Sequence, residues 1–205
     1  MQLYYAPGTI SVAVAIALEE AGLGYTPRKV DFAEAAQTKP DYLALNPKGR
    51  VPALALQTGQ VLTETGALLE YIAQVSQRSA LVPTKAEDAA HMRAVMYYLA
   101  STMHVAHAHK MRGSRWADDA SSWADMAAKV PETMTACAAY VEAACLKGAY
   151  VLGYDFSLAD PYLFVVCNWL QGDGVNMAIF PTITNFLALM ETRESVKAVR
   201  AKGIL

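Results

Sequence analysis

Charge is scarce in this 205-residue sequence: Asp, Glu, Lys and Arg together make up 18% of it, and 19 acidic against 17 basic side chains leave a net charge of −2. That balance argues against nucleic acid as the main partner, since phosphate binding needs a basic surface. Cysteine is rare and odd in number; Cys137, Cys145 and Cys167 have no Cys-x-x-Cys spacing. Reduced, buried thiols are expected rather than a disulfide framework. No stretch approaches the ~18 uncharged apolar residues of a membrane helix. No basic segment followed by an apolar one opens the chain, so no secretory signal is visible. These absences predict a soluble cytoplasmic protein with neither nucleic acid nor membrane as partner. Apolar residues are plentiful, at 54%. A chain of this size buries about 70% of its unfolded surface without staples. The apolar surplus predicts one more covered surface, an oligomer interface.

Two kinds of pattern occupy the chain. Up to residue 78, short β-rich pieces alternate with helical ones. Leu3-Tyr4-Tyr5 reads as a strand ended by Ala6-Pro7-Gly8. Val12 to Ala21 is apolar almost all round and stops at Gly22, the pattern of a buried helix. Tyr25 to Asp31 reads as a second strand, with Pro27 marking an edge or an irregular start. A short helix at 41–45, a hairpin of 51–56 with 61–62 turning at Thr58-Gly59, and a helix over 65–74 complete a βαβ-ββα order. A right-handed crossover makes the first strand pair parallel and the hairpin adds antiparallel strands. The prediction is a thioredoxin-like N-terminal domain with a mixed four-stranded α/β sheet over 1–78, a linker at 79–85 and an all-α C-terminal domain over 86–205. Within the latter, 91–110 and 117–147 are long periodic segments, the second kinked or broken at Pro131.

Three local arrangements stand out. In Asn46-Pro47-Lys48-Gly49-Arg50-Val51-Pro52-Ala53-Leu54, Pro52 at a strand mouth removes a ladder donor. Trans, it is an ordinary strand start; cis, it turns Val51 N–H and C=O outward as partners for a peptide backbone. Thr63-Glu64-Thr65 opens a helix and is either a capping device or a grip on a zwitterion, the carboxylate at the helix N–H groups and the ammonium at Glu64. Phe156-Ser157-Leu158-Ala159-Asp160 reads as a capping box with Phe156 stapled against Pro161, purely structural. His104, His107 and His109 invite a metal reading, but His109 lies well round the helix from the other two and no metal is expected. Trp116, Trp123 and Met126 are expected to pack in the core or against loops.

Together these stretches, with Leu3 to Gly8 followed by Ser11, Leu62-Thr63-Glu64, and Phe156 to Phe164, resemble the cytosolic glutathione S-transferases. The bacterial beta class is the nearest match, over the whole chain. The resemblance implies the glutathione S-transferase fold, a homodimer, glutathione as co-substrate and a small apolar electrophile. It implies glutathione contacts from Arg50, Val51, Pro52, Glu64 and Thr65. A thiol of pKa near 8.5 needs about 2.7 kcal/mol of preferential anion stabilisation to become a thiolate two units lower. Ser11, at a helix start, is either the N-cap or the hydroxyl that supplies it. Tyr5 is either a packed tyrosine or a second donor, and His104 matches the histidine that the beta class places near the sulfur. The pattern departs at Ile10, where the beta class has cysteine, at Tyr97 and at Val105, where it has asparagine and lysine. A lysine after the second strand is also missing. These departures keep open an alternative, a non-catalytic dimeric binding protein on the same fold.

Overall fold

A computed structural model describes residues 1–76 and 81–205. The expected domain boundary at 78 and the start of the linker lie outside the described residues. The chain divides into two compact units, Met1–Thr84 with Glu191–Leu205, and Lys85–Met190.

The first unit is built on a four-stranded sheet of order β2-β1-β3-β4, with β1 (Gln2–Tyr5), β2 (Thr26–Lys29), β3 (Ala53–Ala55) and β4 (Val61–Thr63). β1 and β2 are parallel; β1–β3 and β3–β4 are antiparallel, as the element order requires. β2 is exposed along its length at the edge, where Pro27 is tolerated. Helix α1 (Ser11–Glu20) buries every residue from Ser11 to Leu18. It is apolar all round because β1, α3 (Thr65–Val75) and α9 (Glu194–Ala201) surround it. The return of the C-terminal residues to this unit is fixed by Glu20, whose two oxygens accept from Arg193 Nε and Nη2 at 2.7 and 2.8 Å. Ser195 Oγ also donates to Glu20, and Gly8 N–H donates to the carbonyl of the fully buried Ile204 at 3.1 Å. The short helix α2 (Pro40–Leu45) precedes the loop into β3, and the Val51–Pro52 peptide bond is cis.

The second unit is helical. α4 (Ala86–Tyr98) runs through a π-helical turn, Leu99–Met103, into α5 (His104–Arg112), so the periodic segment read from 91 to 110 is one rod with a wider turn inside it. α6 (Ala120–Tyr140) passes through Pro131 without ending, which removes the break that proline suggested. Asp119 caps it, accepting from Ser121 N–H and Oγ–H at 2.7 Å each, and these bonds hold its carboxyl below the usual range. α8 (Pro181–Glu191) is capped from afar: Glu142 accepts Thr182 N–H and Ile183 N–H at 2.8 and 2.9 Å. No helix among the described residues is long and apolar enough to cross a membrane.

One sequence expectation needs correction. α7 starts at Ala159 rather than beside Ser157, and Ser157 does not cap it (α7 is Ala159–Asn168). Instead the fully buried Asp160 gathers donors: Ser157 N–H at 2.7 Å, Ser157 Oγ–H at 2.9 Å and Val151 N–H at 2.8 Å. The carboxylate, not the hydroxyl, organises this turn, because only a charge with two acceptor oxygens satisfies three donors. Phe156 sets its ring edge-on to Tyr150 at 5.7 Å. Trp116 and Trp123 are surface residues, 45% and 38% exposed. Trp123 packs where Gly113 has no side chain, since a Cβ there would lie 2.9 Å from Trp123 Cβ, and Trp116 meets His109 edge-on.

Candidate functional site

The register sets three chain segments at one end of the first unit's sheet. Tyr4 lies opposite Ala53, and Ala53 opposite Thr63. The bend after β1, the Val51–Pro52 turn before β3 and the Thr63-Glu64-Thr65 step after β4 therefore share that end. Strands stand about 4.8 Å apart, so β1 to β4 spans about 10 Å, the reach of a three-residue extended peptide.

Each segment is shaped by local chemistry. In the middle one, the buried Asn46 holds the loop: its Nδ2 donates to Arg50 C=O at 2.7 Å and its Oδ1 accepts Lys48 N–H at 3.2 Å. Tyr42 Oη–H donates to the same Arg50 carbonyl at 2.7 Å, and burial pushes that phenol up to about 12. Gly49, at φ 59°, brings its α-carbon against Gln37 C=O, where a Cβ would lie 3.0 Å away. With the carbonyl before it gripped twice, Val51 itself keeps N–H and C=O groups that meet no other described residue. The Arg50 side chain is exposed and Pro52 is buried.

The third segment corrects the capping reading. Glu64 sits at φ 72° immediately before α3, yet its carboxylate does not cap the helix. It pairs with Lys48 Nζ, which also donates to Thr63 Oγ1 at 2.7 Å. Both partners are largely exposed, so the pair adds little stability and exchanges readily. Thr65 is buried at the first helical position, and the N–H groups of this turn are not closed by a side chain. Lys48 carries a charge into the site that the sequence reading passed over; its place in the Asn46-to-Leu54 stretch was the available signal.

In the first segment, Ser11 is not the N-cap of α1. Ile10 occupies that position, and Ser11 is fully buried with its hydroxyl 2.8 Å from Thr9 Oγ1. Thr9, which the sequence reading did not select, is the half-buried hydroxyl of the bend. Tyr5 is 7% exposed and shares the inward face of β1 with Leu3, a setting that suits packing.

His104 belongs to the second unit. Its ring is tilted against Trp169 at 5.0 Å, while His107 stacks on the same indole at 4.2 Å. His107 Nδ1–H donates to the buried Asp173 at 2.6 Å, and Lys110 Nζ lies 3.3 Å from that carboxylate. His109 turns away to Trp116. Among the described residues no cluster of three His, Cys, Asp or Glu side chains forms a metal site. Tyr97 is 68% exposed on α4, and Val105 is partly exposed on α5. The three cysteines are free and buried in the second unit. Burial pushes the Cys145 thiol up to about 11 and Cys167 higher still, so both stay protonated and unreactive near neutrality. An aromatic disulfide reagent at about pH 8 is expected to leave both unmodified in the native protein and to titrate them after unfolding in urea. Rapid native labelling of either would contradict that placement.

Comparison with known proteins gives a consistent result. Residues 1–74 match the glutathione S-transferase N-terminal domain. The chain is 30% identical over 207 residues to glutathione S-transferase GstA of Escherichia coli O157:H7, covering 100% of both chains. Among solved structures it superposes on a glutathione transferase homologue from Sulfitobacter with bound glutathione, with TM-score 0.98 and 67% identity over 100% of this chain and 98% of that one. A beta-class glutathione S-transferase from Sphingomonas chungbukensis matches with TM-score 0.84 and 30% identity over 100% of both chains.

Proposed function

The chain belongs to the glutathione S-transferase family, and on that premise we propose that it binds glutathione at the described sheet end and directs the thiolate at a small apolar electrophile. The observation that carries the reading is the unpaired Val51 backbone between two other open segments, all within the reach of a tripeptide. The cysteine backbone of glutathione pairs with Val51. Its γ-glutamyl end lies at β4 and α3, with the carboxylate at Thr65 and the open helix N–H groups, where the helix dipole favours an anion. The ammonium takes Glu64, displacing Lys48. Arg50 and Pro52 flank the cysteine backbone, and the sulfur falls at the bend that holds Thr9 and Ser11. Tyr5 serves packing. No metal takes part; the chemistry is thiolate formation and nucleophilic attack.

We assign glutathione binding to the first unit, in a homodimer that acts in the cytoplasm in detoxification. Exposed large apolar side chains on the helical unit, including Tyr97, Met111 and Tyr140, support the dimer, and the buried, unpaired thiols suit a reducing compartment. Isothermal titration with glutathione and a conjugation assay on a chloronitrobenzene test the proposal. Saturable binding and glutathione-dependent product are expected. No binding at millimolar glutathione would overturn it.

A further inference from the structure

The bend between β1 and α1 contains two hydroxyls, and counting their protons separates their roles. Thr9 Oγ1 lies 2.7 Å from Ala6 C=O and 2.8 Å from Ser11 Oγ, and Ser11 N–H points to it at 3.4 Å. A carbonyl only accepts, so the single Thr9 proton goes to Ala6. The proton shared between the hydroxyls is then the one on Ser11. Ser11, fully buried, has spent its proton inward on Thr9. Thr9 is the partly exposed residue of the pair.

We infer that Thr9 is the hydroxyl that hydrogen-bonds the glutathione sulfur, with Ser11 as a positioning residue behind it. The inference rests on the tripeptide reading above, which sets the sulfur at this bend. As the thiol loses its proton to solvent, Thr9 turns its O–H from Ala6 C=O to the sulfur. The Ala6 carbonyl is not orphaned, because Thr9 N–H already donates to it at 3.3 Å. Ser11 O–H and N–H continue to donate to Thr9 Oγ1, and a hydroxyl that accepts two donors is itself a better donor. The first turn of α1 adds its dipole. No covalent bond forms on either hydroxyl. The side chain of Ile10, between them, has no donor to offer, which leaves Thr9 and Ser11 as the side-chain donors of this stretch.

The test uses the full chain as Thr9→Val, Thr9→Ser and Ser11→Ala. The readouts are the pKa of bound glutathione from thiolate ultraviolet absorbance, kcat on a chloronitrobenzene, and the Kd of S-methylglutathione, which has no thiol proton. T9V is expected to raise the bound thiol pKa by about one unit and to lower kcat about tenfold below that pKa. S-methylglutathione affinity stays within about twofold, since the loss concerns the anion alone. T9S restores the wild-type values, and S11A shifts the pKa in the same direction by less. Thr9→Ala replaces T9V in the same comparison if the valine variant does not fold. A wild-type pKa in T9V, or a larger shift in S11A than in T9V, overturns the assignment while S-methylglutathione binding persists. Failure of the wild type to bind S-methylglutathione overturns the tripeptide reading itself.

Discussion

Replacing Asp160 with alanine is expected to lower unfolding stability by about 3–5 kcal/mol, the largest single-residue effect foreseen on the fold. The carboxylate accepts three hydrogen bonds in a fully buried setting, from Val151 N–H, Ser157 N–H and Ser157 Oγ–H. Its removal leaves those donors without water or a partner, at about 1–3 kcal/mol each. Loss of the buried charge returns part of that, because a desolvated carboxylate is costly in itself. Asp160→Asn keeps the shape and one acceptor oxygen, so it should cost roughly half as much. Urea unfolding followed by circular dichroism measures both. A change below about 1 kcal/mol for D160A would mean that the turn between 151 and 160 holds itself without the carboxylate.

The largest expected effect on binding comes from Glu64→Gln. The proposed ammonium contact is charge-assisted, and such bonds contribute about 1.5–3 kcal/mol, or about 10- to 150-fold in Kd. Among the described residues, Glu64 pairs only with the exposed Lys48 in the free protein. Stability should therefore change by less than about 1 kcal/mol while glutathione affinity falls by at least tenfold. Calorimetric titration with glutathione and with a des-amino analogue separates the two contributions. The analogue should bind wild type and E64Q alike. Equal affinity of both proteins for glutathione would place the ammonium elsewhere.

Legibility in the sequence followed the range of the interactions involved. β1, α1, the hairpin and α3 were readable because each is announced by local periodicity and a turn residue, down to the edge position of β2 from Pro27. The Asn46-to-Leu54 stretch announced a special turn for the same reason: the hydrogen bonds of the Asn46 side chain that shape it run to Lys48 and Arg50, close by in sequence. What depended on side-chain direction was not readable. Ser157, Glu64 and Ser11 each looked like helix caps, yet their partners turned out to be Asp160, Lys48 and Thr9. A residue pattern gives the donors and acceptors but not which way each rotor turns. Least visible was the tie between Glu20 and Arg193, separated by 173 residues, through which the C-terminal residues join the first unit. At Pro131 the local pattern left a kink or a break open, and α6 continues through it without a break.

A crystal structure of the protein with S-methylglutathione bears most directly on the sheet-end cradle. The account predicts two hydrogen bonds between Val51 N–H and C=O and the ligand's cysteine backbone, an ammonium at Glu64 with Lys48 displaced, and the sulfur beside Thr9. A ligand bound away from Val51, or a complex in which both Val51 groups stay unpaired, would contradict it.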